Sequence, residues 1–176
     1  HEATIVLADE RGMVTDEAIK KAIRPDTQLV STALANNELG TIQPLRDIAQ
    51  VIKAERDARL ARGDHTPIYL HSDGSQGVGQ LDVNVARLGV DMLTLNAAKV
   101  YGPKQVGLLW SASHIVLSPT IVGGGQERGL RSGTENVAGT IGFAKALELA
   151  NEHRKYESDR LMKLRDTLQS GLSDAF

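Results

Sequence analysis

Short apolar runs alternate along this chain with longer segments in which apolar residues recur every three or four positions. Each run is continuous rather than interleaved with polar residues, which is typical of strands buried on both faces of a sheet. The runs predict strands over residues 4–8, 28–35, 68–72, 90–95 and 106–112, and the spaced segments predict helices over residues 16–24, 44–62 and from 136 onwards. This order predicts an α/β fold of three layers, α/β/α, with helices on both faces of a mainly parallel sheet.

Residues at the ends of the helical segments support these bounds. Thr15 suits an N-cap, Pro44 a first helical turn and Gly63 a helix end. We expect residues 1–150 to form one unit, and residues 151–176 to be a long charged helix that leads towards a further domain. The chain opens at its first residue directly before an apolar run, and we expect it to be a central piece of a longer protein, truncated at both ends.

Polar residues directly follow three of the predicted strands. Asn36 follows the second apolar run, Asp73 the third, and the segment 96–99 the fourth. Ligands of parallel α/β sheets bind beyond the carboxyl ends of the strands. We therefore expect these residues to share one rim of the sheet, with Asp73 and Lys99 facing one another across a cleft.

An acid and a lysine on one rim suit pyridoxal 5′-phosphate (PLP). The lysine can hold the cofactor aldehyde as a Schiff base, and the acid can keep the pyridine nitrogen protonated. Taken singly, Asp73 reads as an ordinary turn residue and Lys99 as a surface lysine. The apolar neighbours of Lys99, which are Ala97, Ala98 and Val100, favour partial burial and a lowered pKa of its amine.

Two glycine-containing segments leave a structural and a functional interpretation open. Residues 36–40 form either a polar turn or an amide site for a cofactor hydroxyl or a substrate carboxylate. Residues 123–134 form either a flexible loop or a phosphate site, since two arginines, a serine and a threonine lie among the glycines. The second segment is not a Walker motif, and the scattered histidines have no metal-binding spacing. We therefore predict no metal site.

Composition narrows the classes of partner. The net charge is −2 and aromatic residues make up 3% of the chain, so nothing favours nucleic acid or an anionic membrane surface. There is no apolar run of membrane-spanning length. The 176 residues contain no cysteine, which excludes disulfides and thiolate metal sites within this sequence. The cytoplasm is the expected compartment.

Four motifs together resemble the cysteine desulfurases of the NifS/IscS type, in the class V aminotransferase group of fold-type I PLP enzymes. They are ALANNELGTIQPL (33–45), HSDGSQGVGQLDV (71–83), AAKVYGPKQVGLLW (97–110) and GGGQERGLRSGTENV (123–137). The resemblance covers essentially the whole chain and implies the major domain of a PLP-dependent transferase. Other class V enzymes, such as a selenocysteine lyase or an aminotransferase, and a non-catalytic remnant stay open as alternatives. The GGGQERGLRSGT stretch favours the desulfurase.

The resemblance also implies roles for particular residues. Lys99 would carry the cofactor as a Schiff base and act in catalysis, while Asp73 would pair with the pyridine nitrogen. Gln76 would bind the 3-hydroxyl, and Asn36 would lie near that hydroxyl and the substrate. Thr134 would reach the cofactor phosphate of a neighbouring subunit, which implies a homodimer.

The serine and the histidine of the usual Ser-Gly-His that precedes the lysine in this family are both replaced here. Asn96 stands in place of the serine and can still donate a hydrogen bond to the phosphate. Ala98 stands in place of the histidine and cannot.

The activity implied is conversion of L-cysteine to L-alanine, with the sulfur held as an enzyme persulfide. A sulfur-acceptor or scaffold protein would pass it to iron–sulfur cluster assembly or thiolation. Since the chain has no cysteine, we expect this sequence alone to be inactive.

Overall fold

The computed structural model describes residues 2–176 and contains four strands and four α-helices. The strands are β1 (Leu29–Ala33), β2 (Tyr69–Asp73), β3 (Met92–Asn96) and β4 (Gly107–Ser111). The helices are α1 (Asp16–Ala22), α2 (Leu45–Ala61), α3 (Val85–Leu88) and α4 (Val137–Ala175). Single 3₁₀ turns occupy Ala97–Val100 and Glu127–Gly129.

The four strands form one sheet in the order β1-β2-β3-β4. The pairs β1–β2 and β2–β3 are parallel, and β3–β4 is antiparallel. The prediction of an α/β fold with a mainly parallel sheet is therefore confirmed. The last pair reverses because the connection over residues 97–106 is shorter than the roughly dozen residues that a parallel crossover needs.

The predicted strand over residues 4–8 is wrong. This segment is extended but pairs with no strand in the part of the chain that the structure describes. Val6 packs against the core, while Ile5 and Leu7 are 85% and 82% exposed. An apolar run becomes a strand only where a neighbouring strand satisfies its backbone hydrogen bonds, and the sheet offers none here.

The hydrophobic core lies between α2 and one face of the sheet. Ile48 and Ile52 of α2 are 0% and 2% exposed. They belong to one cluster with strand and loop residues, among them Leu34, Ile68, Leu70, Val90, Leu93 and Leu95. Burying each such side chain contributes roughly 1.5–3 kcal/mol, so this interface is the main support of the sheet.

The opposite face of the sheet is largely open. Alternate positions along a strand point to opposite faces, so Leu29, Ser31 and Leu109 lie on the side away from Leu70 and Leu93. These three residues are exposed. Within residues 2–176 the core is thus built on one face of the sheet, so the predicted helix layer is observed on that face and not on the other.

Helix α4 is long and only its first half packs on the core. It begins after Asn136, whose Oδ1 accepts a hydrogen bond from the backbone N–H of Gly139 at 2.9 Å. Phe143 is 3% exposed and joins the core. The helix continues unbroken through residue 150. The predicted division of the chain into residues 1–150 and residues 151–176 therefore stays a prediction. The structure describes no helix that is both long and apolar enough to cross a bilayer, residue 1 being outside the description.

Candidate active site

Asp73 is the last residue of β2 and begins a tight turn. Its Oδ1 accepts a hydrogen bond from the backbone N–H of Ser75 at 2.8 Å. The side chain is exposed and forms no ion pair with a residue in the 2–176 range. Glycine fits closely at position 74, because a Cβ there would lie 2.9 Å from the Leu93 side chain, which would have to shift. The carboxylate is thus fixed at one oxygen and available at the other.

Lys99 lies in the 3₁₀ turn that directly follows β3. Asn96 caps this turn, since its Oδ1 accepts a hydrogen bond from the backbone N–H of Ala98 at 2.9 Å. Ala97 and Val100 are buried, while Ala98 and Lys99 are exposed. The prediction that Lys99 is partly buried is therefore wrong. Residues three apart eclipse one another in a 3₁₀ turn, so 97 and 100 share the inward side and the lysine points away from it.

The strand pairing brings these groups to one edge of the sheet. β2 and β3 are parallel neighbours, and Asp73 is the Cα partner of Thr94, two residues before the end of β3. The backbone N–H of Gly74 donates to the Thr94 carbonyl at 2.9 Å and holds the two strand ends together. Asp73, Asn96 and Lys99 thus lie at the carboxyl ends of adjacent parallel strands.

Asn36 and Gln76 lie in the loops at this same edge. Asn36 follows β1, and its Oδ1 accepts hydrogen bonds from the backbone N–H groups of Glu38 and Leu39 at 2.9 and 2.8 Å. Its amide N–H₂ group remains as a donor, as does that of Asn96. Gln76 lies in the turn after Asp73 with an exposed side chain. Roles for these residues in binding a cofactor stay predictions.

The sixth predicted residue, Thr134, lies in the glycine-rich loop before α4, and its side chain is exposed. This loop is ordered by its own polar groups. Gln126 Oε1 accepts from the backbone N–H of Gly133 at 2.9 Å, and Ser132 Oγ accepts from that of Gly125 at 3.2 Å. Ser132 is buried. The loop is therefore irregular but held by its own hydrogen bonds, and the side chain of Thr134 is exposed to solvent.

A polar row crosses the open face of the sheet beneath the rim, and the sequence analysis missed it. His71 Nδ1 lies 2.8 Å from Ser31 Oγ, and His71 Nε2 lies 2.8 Å from Thr94 Oγ1. Burial lowers the pKa of His71 below its ordinary value, against an opposing pull from the Asp73 carboxylate. One signal was present in the sequence: His71 is two residues before Asp73 on one strand, so both share a face.

The rim is an open surface rather than a closed pocket. A cavity of about 700 Å³ lies between α1 and α2 and contains none of the predicted site residues. Its lining mixes apolar and charged side chains, namely Ile23, Val51, Ala58, Lys20, Arg24 and Glu55. That Asp73 and Lys99 face one another across a cleft stays a prediction.

Comparison with known proteins shows the family to which the chain belongs. Residues 1–175 match the family described as aminotransferase class-V, and the chain belongs to that family. It is 44% identical over 167 residues to cysteine desulfurase IscS 1 of Archaeoglobus fulgidus, covering 95% of this chain and 41% of that protein. It thus spans about two fifths of the length of the curated relatives that it matches.

Two solved structures show the same fold. A NifS-like protein matches with a TM-score of 0.87 at 39% identity, covering 97% of this chain and 44% of the other. SspA in complex with cysteine matches with a TM-score of 0.72 at 38% identity, covering 82% and 39%. These matches confirm the predicted family and fold class, and with them PLP as the cofactor of this class of enzymes.

Proposed function

We propose that this chain is the cofactor-binding part of a PLP-dependent cysteine desulfurase. The observation that carries the proposal is the placement of Asp73 and Lys99 at the carboxyl ends of adjacent parallel strands. The names of the relatives and the SspA complex with cysteine support L-cysteine as the substrate. The transferase reaction is the conversion of L-cysteine to L-alanine with transfer of the sulfur.

The groups on the rim fit the cofactor chemically. An exposed primary amine, a carboxylate without a counter-ion among residues 2–176, and two amide donors lie along one edge. PLP, when bound, supplies an electron sink for the bonds to the substrate Cα. Lys99 Nζ holds the cofactor aldehyde and moves a proton at the substrate Cα, while the Asp73 carboxylate holds the proton on the pyridine nitrogen.

The remaining predicted residues would orient the cofactor. The Gln76 amide and the Asn36 amide bind near its 3-hydroxyl, with Asn36 also near the substrate, and the Asn96 amide donates to the phosphate. Thr134, exposed on a pinned loop, donates to the phosphate of a second copy of the chain, so the proposed assembly is a homodimer. Ala98 offers no side-chain donor, which weakens phosphate binding at that position.

The sulfur requires a thiol that this sequence does not contain. Desulfuration leaves sulfur on a thiolate nucleophile, and the 176 residues include no cysteine. The accepting thiol must therefore come from outside this sequence. We propose that residues 1–150 are the central part of the large cofactor domain and that residues 151–176 lead towards a smaller domain.

The proposed pathway follows from the desulfurase names of the relatives. A sulfur-acceptor or scaffold protein would receive the sulfur for iron–sulfur cluster assembly or thiolation. The compartment that we propose is the cytoplasm.

Reductive trapping tests the proposed function. The 176-residue chain is mixed with PLP, reduced with borohydride and digested, and the modified lysine is located by mass spectrometry. We expect the adduct on Lys99 and its loss in Lys99→Ala. Lys104→Ala is the matched control, since Lys104 is an exposed lysine in the following loop. Equal labelling of surface lysines, unchanged by Lys99→Ala, would contradict the proposal and favour the non-catalytic alternative.

A further inference from the structure

The row of Ser31, His71 and Thr94 links three adjacent strands directly beneath Asp73. Ser31 is on β1, His71 on β2 and Thr94 on β3, and both ring nitrogens of His71 lie 2.8 Å from a hydroxyl oxygen. Asp73 is the next residue on the same face of β2, and Thr94 is its Cα partner on β3. The imidazole is therefore the nearest ionisable group to Asp73 along that face of the strand.

The surroundings of His71 favour its neutral form. The β1 and β3 side chains that share its face carry no charge, namely Leu29, Ser31, Ala33, Met92 and Thr94. Its own strand adds Tyr69 and the Asp73 carboxylate. Burial opposes the charged imidazole more strongly than Asp73 favours it, so the pKa of His71 is lowered. A hydroxyl can donate or accept, so both ring nitrogens are satisfied in the neutral ring.

We propose that His71 is a positioning residue for the cofactor site: a neutral ring held between Ser31 and Thr94 places no cation beside the Asp73 carboxylate, which forms no ion pair within residues 2–176. This inference rests on the proposed function, in which Asp73 pairs with a protonated pyridine nitrogen. A cation at position 71 would pair with Asp73 and compete with the cofactor for its charge. A neutral side chain that spans the same hydroxyls would neither pair with Asp73 nor compete with the cofactor.

The first arm of the test needs no cofactor. The histidine ring signals of the 176-residue chain are followed by NMR between pH 4.5 and 8, and His71→Gln identifies the His71 signal. We expect a titration midpoint below the ordinary value of about 6.5. A midpoint at or above that value would overturn the proposal, because an imidazolium would then stand beside Asp73 near neutral pH.

The second arm measures the apparent affinity for PLP by the absorbance of the Lys99-dependent adduct. We expect His71→Gln to remain within about threefold of the parent and His71→Lys to lose tenfold or more, about 1.4 kcal/mol by the affinity relation. Tyr69→Lys is the matched control, because it places the same cation on the same strand and face but two residues further from Asp73. Equal losses in His71→Lys and Tyr69→Lys, with both chains folded, would overturn the proposal.

A pH comparison keeps the test decisive if His71→Lys fails to fold. Lowering the pH through the His71 midpoint should weaken PLP binding more in the parent than in His71→Gln, since both share every other titrating group. Identical pH profiles would overturn the proposal. If the parent shows no Lys99-dependent binding at all, the proposed function fails, while the NMR arm still decides the protonation state of His71.

Discussion

At the scale of single residues, Arg59 shows how a buried cation holds together the segments that precede β1 and β2. Its side chain is 1% exposed. The guanidinium donates to the carbonyls of Arg24, Thr27 and Thr66 at 3.0, 2.9 and 3.2 Å, and to Glu55 Oε1 at 2.8 Å. The hydrogen bond from Arg59, and after it the one from Arg62, holds the pKa of Glu55 below its ordinary value. Arg59 thereby joins the segments that lead into β1 and β2.

We expect Arg59→Met to destabilise the chain by about 3–5 kcal/mol, because the carbonyls and Glu55 lose a buried charged donor. Urea denaturation followed by circular dichroism measures the change. Arg62→Met is the control, since Arg62 also pairs with Glu55 but its side chain is 47% exposed. That variant should cost about 1 kcal/mol or less. Similar losses in both variants would show that the carbonyl contacts of Arg59 contribute little.

The lowered pKa of His71 also predicts a pH dependence of stability. Its folded-state pKa lies below the unfolded value of about 6.5. In the window between those two values the unfolded state binds more protons, so the free energy of unfolding falls as the pH falls. Urea midpoints from pH 7.5 to 5 should therefore decrease less in His71→Gln than in the parent. A steeper or equal decrease in His71→Gln would contradict the assignment of a destabilised imidazolium.

At the scale of elements, the apolar runs in the sequence predicted where most strands lie but not which strands pair with one another. Continuous apolar runs placed β1 to β4 within a few residues of their observed bounds, although one face of the sheet is open. The run at 4–8 has the same pattern and no neighbour, and α3 is too short for a helical period to be visible. The row at His71 depends on strand register, which single-sequence pattern does not report.

Helix α4 depends on its first turns for attachment. Phe143 is 3% exposed in the core, whereas Leu168 on the same helix is 65% exposed. We expect Phe143→Ala to cost about 3–5 kcal/mol and to speed amide exchange in residues 137–150. Leu168→Ala should change stability by no more than about 0.5 kcal/mol. Hydrogen exchange by mass spectrometry compares them, and unchanged protection in Phe143→Ala would show that other contacts attach the helix.

At the scale of the whole molecule, the fold explains why the rim could be predicted and the environment of its lysine could not. The order of strands and helices implies that residues after β2 and β3 meet at one edge, which needs no side-chain detail. The exposure of Lys99 follows from the 3₁₀ turn and from the open face beside it. Asp73, Asn96 and Lys99 at this edge are exposed.

That openness predicts weak cofactor binding by the 176-residue chain. Each charge-assisted hydrogen bond to phosphate is worth roughly 1.5–3 kcal/mol, so a site that lacks two of them binds about 10²–10⁴-fold more weakly. Ala98 already removes one side-chain donor next to Lys99. An absorbance titration with PLP should saturate far above micromolar concentration. Micromolar saturation that disappears in Lys99→Ala would show that the chain holds a nearly complete site.

Sulfur transfer by this chain alone should be absent even when PLP is supplied in excess. A persulfide forms on a thiolate, and no side chain in the sequence can provide one. Incubation with L-cysteine and PLP should therefore yield no protein-bound sulfur by mass spectrometry. Free PLP with L-cysteine is the background control, and Lys99→Ala separates enzymatic from surface chemistry. Sulfide or L-alanine above background that requires Lys99 would mean that the rim catalyses an elimination without a protein thiol.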